Sequence, residues 1–410
     1  MQLQTLQKYS ECREWGFDEE GAREAIAAAA GLRELLAKHA VEGDLQRYPG
    51  PEVIKALDDA RLWALAVPKR LGGRGLSATA LARVGAELAK GDPSVAWVFQ
   101  IINGTTWVTS LASDALQEEL FKDGVPKIAG VFNPPGIAVP VEGGYRVSGA
   151  WPYASAIRHA AWGQWGIKIV NPDGTEVAGN FCYVPASDFR VTDTWFVTGM
   201  QGTGSDTVVI EDVFVPEHRV VHAAKSYNFV EPDKRNHGAN SDFFAQMALV
   251  HRTMCGVPLG AMEALLDHVS RSATSRPLVG TIYARQSDSD VVAREIGEAA
   301  TKIHAARVLI ESATMELDEA ALDRRVLSED QRARNKAKAN YAMAILQEAS
   351  RALMNVAGSS AFNNGNPASR YWRDFEMVSR HFGNIATVGY QVYGQSLLGS
   401  SQRAALPFMY

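Results

Sequence analysis

The sequence lacks the short signatures that most often announce chemistry. No GxGxxG follows a strand-like run and no P-loop is present, so it carries no phosphate cradle of those kinds. HExxH is absent, and the nine histidines are scattered without metal-ligand spacing, which argues against a metal site. GxSxG is absent as well, so "GTGSD" (202–206) is not a nucleophile elbow. Cysteine is scarce. Cys12, Cys182 and Cys255 are far apart and odd in number, which excludes a disulfide framework and fits a reducing cytoplasm. No window reaches the roughly 18 consecutive apolar residues of a membrane helix. The opening "MQLQTLQKYSECREWGFDEE" has no basic start followed by an apolar run, so it does not read as a signal peptide. Neither sign of charge dominates: 41 basic and 46 acidic residues give −5, with no face for nucleic acid and no acidic tail. A cytoplasmic protein is expected.

What is present falls into three textures. The chain has 410 residues and is 46% hydrophobic, enough for a large core and two or three domains. Residues 1–122 are rich in Ala, Leu and Glu at helical spacing, as in "EAIAAAAGLRELLAKHA". Asp92 and Pro93 read as the cap and first turn of another helix. Residues 123–228 change to short runs of Val, Ile, Tyr, Phe and Trp broken by "EGG", "NPDGT" and "GTGSD", a β domain with tight turns. Residues 229–410 return to the helical period. Val292, Ile296, Ala299, Ile303, Ala306 and Ile310 form one stripe, and a second long helix ends at Gly358. Segment 226–242 is the most loop-like boundary. The fold class is therefore α+β, in the order α, β, α.

Four stretches in the right order carry a resemblance: "AVPKRLGGRGLS" (66–77), "GGYRVSGAWPYASAIRHAAW" (143–162), "TGMQGTGSDTVVIEDVFVPEHR" (198–219) and "AGSSAFNNGNPASRYWRDF" (357–375). Spread over most of the chain, they resemble the acyl-CoA dehydrogenase superfamily, within it the flavin-dependent monooxygenases that take reduced flavin from a separate reductase. The resemblance implies an N-terminal helical domain, a middle β domain and a C-terminal four-helix bundle, assembled as a homotetramer. It implies FMNH2 or FADH2 and O2 as cofactors. The reaction would be hydroxylation of an aromatic small molecule through a C4a-hydroperoxyflavin.

The resemblance also assigns roles. The dehydrogenases present a catalytic Glu shortly after an Arg-Asp pair. Here Arg373 and Asp374 are followed by His381 and Phe382, so His381 would be the base that deprotonates the substrate. Ser155 would contact the flavin and steady the peroxide, with Trp151 and Tyr153 facing the ring or beneath it. Thr203, Gly204 and Ser205 would offer donors and small side chains to the flavin. Arg276 would reach the flavin phosphates of a neighbouring subunit, though Val279 stands where the dehydrogenases carry Phe. Gly358 and Ser359 belong to the dinucleotide-contact segment, which departs from the usual double Gly. Trp97, Trp107, His159 and Phe382 would line the substrate side. Each residue also has a plain structural reading as core, cap or turn. Three alternatives stay open: an acyl-CoA dehydrogenase or oxidase, an N-oxygenase of an amino sugar, and a non-catalytic scaffold.

Overall fold

The computed structural model describes residues 16–222, 238–405 and 409–410. Cys12 and most of the expected boundary segment 226–242 lie outside them.

Among the described residues six helices come first: α1 (Glu19–Gly31), α2 (Arg33–Gln46), α3 (Pro51–Asp59), α4 (Ala78–Ala89), α5 (Pro93–Thr109) and α6 (Asp114–Phe121). Three of their starts carry a side-chain cap. Asp18 accepts from the Gly21 N–H, Ser77 caps α4, and Asp92 accepts from the N–H groups of Ser94 (2.8 Å) and Val95 (3.4 Å). Helix α5 is apolar nearly all round and buried along its length, Ile101 excepted, which makes it a central helix rather than a surface one.

A seven-stranded sheet follows: β1 (Ile128–Val141), β2 (Gly144–Trp151), β3 (Trp162–Val170), β4 (Glu176–Pro185), β5 (Arg190–Thr192), β6 (Thr207–Pro216) and β7 (Val220–His222), in the order β5-β6-β2-β1-β3-β4-β7. Among the described strands only β1 and β3 run parallel. Their register breaks once. Val131 pairs Trp165 and the next pair is Gly136 with Ile167, so β1 spends three more residues than β3 over this interval. The detour lies close over Gly166: a Cβ there would stand 2.5 Å from the Phe132 carbonyl oxygen.

Six more described helices follow: α7 (Gln246–Met254), α8 (Gly256–Ala273), α9 (Asp290–Leu322), α10 (Glu329–Ala357), α11 (Pro367–Val378) and α12 (Ala386–Leu397). Along α9, Val292, Ala299, Ile303, Ala306 and Ile310 are buried and Ile296 packs beside them, so the periodic stripe faces the bundle core. Helix α10 starts with a Ser328–Gln331 capping box and ends at Gly358 with φ 71°. Helices α8, α9 and α10 with α11 share one hydrophobic core, and α12 packs on α10. A second core joins the N-terminal helices to Leu249, Met254 and Val257 of α7 and α8, and to Leu317 of α9. The site described next lies where these two helical groups meet the sheet. No described helix is long and apolar enough to cross a membrane.

Candidate active site

A cavity of about 540 Å³ opens between the sheet and the helices. Helix α5 contributes Trp97, Ile101 and Thr105, and the β1 detour contributes Phe132, Asn133 and Pro135. Beyond β2 come Tyr153 and Ser155, and before β6 come Trp195, Met200, Thr203 and Ser205. Helix α7 supplies Val250, His251 and Met254, and the end of α11 supplies Met377, Arg380, His381 and Phe382. The lining is mostly apolar, with a few polar groups converging, as small-molecule sites are built. Among the described residues no Asp or Glu lines it.

One wall carries a row of hydroxyls. The Trp97 Nε1–H donates to Ser155 Oγ at 3.1 Å. Ser155 and Ser205 share a hydrogen bond of 2.7 Å, and Ser205 and Thr203 one of 2.6 Å. Thr203 donates to the Met200 carbonyl at 2.9 Å. A hydroxyl has one proton, so with Thr203 committed to Met200 the row runs from Ser155 to Ser205 to Thr203, leaving Ser155 a free lone pair. If Thr203 releases Met200, the row can reverse and Ser155 becomes a donor to the cavity. Two buried carboxylates hold the turn that carries these groups. Asp206 accepts from the N–H groups of Thr194 and Trp195 and from Arg158. Asp374 accepts from the Met200 N–H at 2.5 Å. Asp374 is pushed up to about 8, by burial first and by Asp44 and Asp92 next.

The other wall carries His381, in the turn between α11 and α12. Its ring meets Trp97 edge-on, with centroids 5.3 Å apart, and Phe382 at 4.4 Å. Its Nδ1 accepts from the Gly383 N–H at 3.3 Å. A neutral ring must then carry its proton on Nε2. Burial, helped by the Lys336 charge, lowers His381 to about 4. A ring held this low is a weaker base than an ordinary imidazole. In the free protein His381 is a neutral ring whose second nitrogen donates.

The structure brings Trp97, Tyr153, Ser155, Thr203, Ser205, His381 and Phe382 together. The other expected residues do not line the cavity. Trp151 is core, donating to the Gly166 carbonyl at 2.8 Å against Trp165. Trp107 is core too, tied to the Ser241 carbonyl beside Phe244. His159 packs near Tyr48, and burial lowers it to about 4. Gly204 supplies a left-handed bend (φ 58°) to the turn. Arg276 donates to Ser360 Oγ at 2.6 Å and to the Ala357 carbonyl, which gathers it with Gly358 and Ser359 at a place apart from the cavity in this chain. Sequence reasoning missed Asn133, Trp195 and His251.

Comparison with known proteins fits this geometry. The family models described as acyl-CoA dehydrogenase, N-terminal domain and acyl-CoA dehydrogenase, C-terminal domain match residues 19–125 and 252–385. The chain is 28% identical over 393 residues to the "FADH(2)-dependent resorcinol hydroxylase, oxygenase component" of Rhizobium sp. (strain MTP-10005), covering 91% of this chain and 94% of that one. It is 29% identical over 392 residues to the "Flavin-dependent monooxygenase, oxygenase subunit HsaA" of Mycobacterium tuberculosis (strain CDC 1551 / Oshkosh), covering 92% and 96%. Among solved structures, XiaF from Streptomyces sp. in complex with FADH2 and glycerol superposes with a TM-score of 0.91 at 31% identity, covering 95% and 98%. The chain belongs to the acyl-CoA dehydrogenase family, among its flavin-dependent monooxygenase oxygenase components.

Proposed function

We propose that this protein hydroxylates a phenol-type aromatic molecule with reduced flavin delivered by a separate reductase. The observation that carries the reading is the make-up of the cavity: two imidazoles and a row of hydroxyls, and no carboxylate among the described lining residues. A dehydrogenase that removes an α-proton needs a base such as Glu, and Glu376 is engaged elsewhere, accepting from Arg380 at 2.6 Å. The residues fit a flavin ring. Trp195 and Tyr153 give flat flanks, and Ser155 offers a lone pair that nothing in the chain occupies. Bound reduced flavin supplies the two electrons that split O2, one oxygen atom going to the substrate and the other leaving as water. The chain's own residues do the rest. Ser155 accepts or donates at the flavin edge as the hydroxyl row reverses. The apolar walls exclude water. His381 holds the substrate oxygen through Nε2–H.

Mixing the purified protein with reduced FAD or reduced FMN, O2 and a simple phenol should give a catechol-type product. His381→Ala should lose about 10²-fold in hydroxylation while still consuming flavin and releasing H2O2. Failure of wild type to hydroxylate any phenol with either flavin, together with acyl-CoA-dependent bleaching of bound FAD, would overturn the reading in favour of a dehydrogenase.

A further inference from the structure

His251 lines the same cavity and is only 1% exposed, yet neither ring nitrogen has a hydrogen-bond partner in the described structure. A neutral imidazole has one donor and one acceptor, and leaving both unpaired in the interior is costly. The ring borders the cavity, so a ligand there lies next to it. The ring lies 5.9 Å from that of His381 and 5.0 Å from that of Phe382, centroid to centroid. It is wedged against Gly383, where a Cβ would stand 2.7 Å from its Cδ2.

Behind the two imidazoles sit two buried basic groups, Arg252 and Lys336, and burial lowers Lys336 to about 7. Arg252 is 0% exposed and Lys336 2%. All three guanidinium nitrogens of Arg252 lack a hydrogen-bonded oxygen, and its polar neighbour is the Cys255 thiol, which burial keeps protonated. Lys336 Nζ reaches the Gly383 carbonyl at 3.3 Å, which Asn340 also holds at 2.9 Å. Among the described residues neither basic group forms a salt bridge with a carboxylate. Burial first pushes His251 toward the neutral form, and the charged and titratable groups that face it, His381 on the turn, Arg252 on its own helix and Lys336 on α10, push the same way. Burying positive charge without a counter-charge is unfavourable, and a negative group entering the cavity would relieve it.

We propose that His251 is a substrate-contacting residue: with His381 it holds the oxygen of a phenol-type substrate, and the buried bases Arg252 and Lys336, which lack a carboxylate partner among the described residues, favour that oxygen as its anion. The phenol O–H bond breaks on binding and its proton leaves to solvent. No strong protein base is then required, which accords with a His381 that is a weak one. The ring that remains is electron-rich, as attack on an electrophilic oxygen requires. This assignment rests on the hydroxylase reading for its purpose but is measurable without turnover.

4-Nitrophenol is a suitable probe, because its anion absorbs visible light and its neutral form does not. Titrated with the flavin-free protein across pH, the bound probe should ionise at a pH at least about one unit lower than the free probe, equivalent to a tenfold preference for the anion. His251→Phe should lose most of that preference, His251→Gln should restore part of it, and Lys336→Met should reduce it while leaving the circular dichroism spectrum unchanged. Equal affinity for both forms, no binding of the probe, or a His251→Phe variant matching wild type overturns the assignment. An anion preference in a protein that hydroxylates nothing would overturn the hydroxylase reading alone. Hydroxylation with no anion preference would overturn this one alone.

Discussion

Ser155 sits between an indole N–H and two further hydroxyls, so removing its oxygen unbalances three groups at once. Ser155→Ala leaves the Trp97 Nε1–H without its acceptor, at a cost of about 1–3 kcal/mol. The expected outcome is a larger share of H2O2 per flavin consumed, measured as the ratio of hydroxylated product to peroxide. His159 gives the converse case. Its folded pKa, about 4, lies below the ordinary 6.5, so the unfolded chain binds more protons between those values. Its contribution to stability is present above pH 6.5 and is lost as pH falls toward 4. His159→Gln should flatten the acid-side fall in the urea midpoint without slowing hydroxylation. A large loss of activity would place His159 back among the site residues. Single residues were legible unevenly. His381 and Ser155 stand in stretches with a family pattern. His251 stands in "MALVHRTM", a short mixed stretch with no family pattern, and that its helix is buried along its whole length shows only in the structure.

The start of α5 was legible from Asp92 and Pro93, because a cap is a local device. Asp92 shows that a cap can also carry an opposing cost. Its carboxylate accepts from two N–H groups of α5, yet burial raises it to about 6 despite the pull of Arg370. The native state therefore holds its proton more tightly than the unfolded chain, and stability falls as pH rises from 3.8 toward 6. Asn caps as well as Asp and carries no charge. Asp92→Asn should raise the urea midpoint at pH 8, with the gain vanishing by pH 4. A lower midpoint at pH 8 would mean that the attraction to Arg370 outweighs desolvation. The strands were legible as a group and not in their order. Short β-branched and aromatic runs between turn residues mark them, whereas the pairing of β1 with β3 in parallel depends on contacts no local pattern encodes.

At the scale of the molecule, the periodic stripe on α9 predicted burial within a bundle. It could not say that α7 and the end of α9 also close the N-terminal core. Other apolar residues remain outside. Val279 and Ile282, on the segment between α8 and α9, are 88% and 93% exposed, and Leu397 and Leu398 protrude at the end of α12. Apolar surface of this kind is buried when copies assemble. With a homotetramer as the expected state, the double substitution Val279→Asp and Ile282→Asp should lower the mass measured by sedimentation. It should also weaken flavin retention if Arg276, beside them, serves a neighbouring subunit. An unchanged mass would remove this segment from the interface.

The detour in β1 has a consequence for how such an enzyme can change. Phe132, Asn133 and Pro135 face the cavity, yet pairing with β3 resumes at Gly136 as if they had not intervened. The strand leaves its neighbour and rejoins it, so those residues behave as a cassette. Lengthening, shortening or recolouring it would reshape one wall of the pocket while the hydrogen-bonded ladder on either side keeps its register. New substrate preference could therefore be acquired here with little disturbance to the sheet, provided that position 166 stays bare of a side chain.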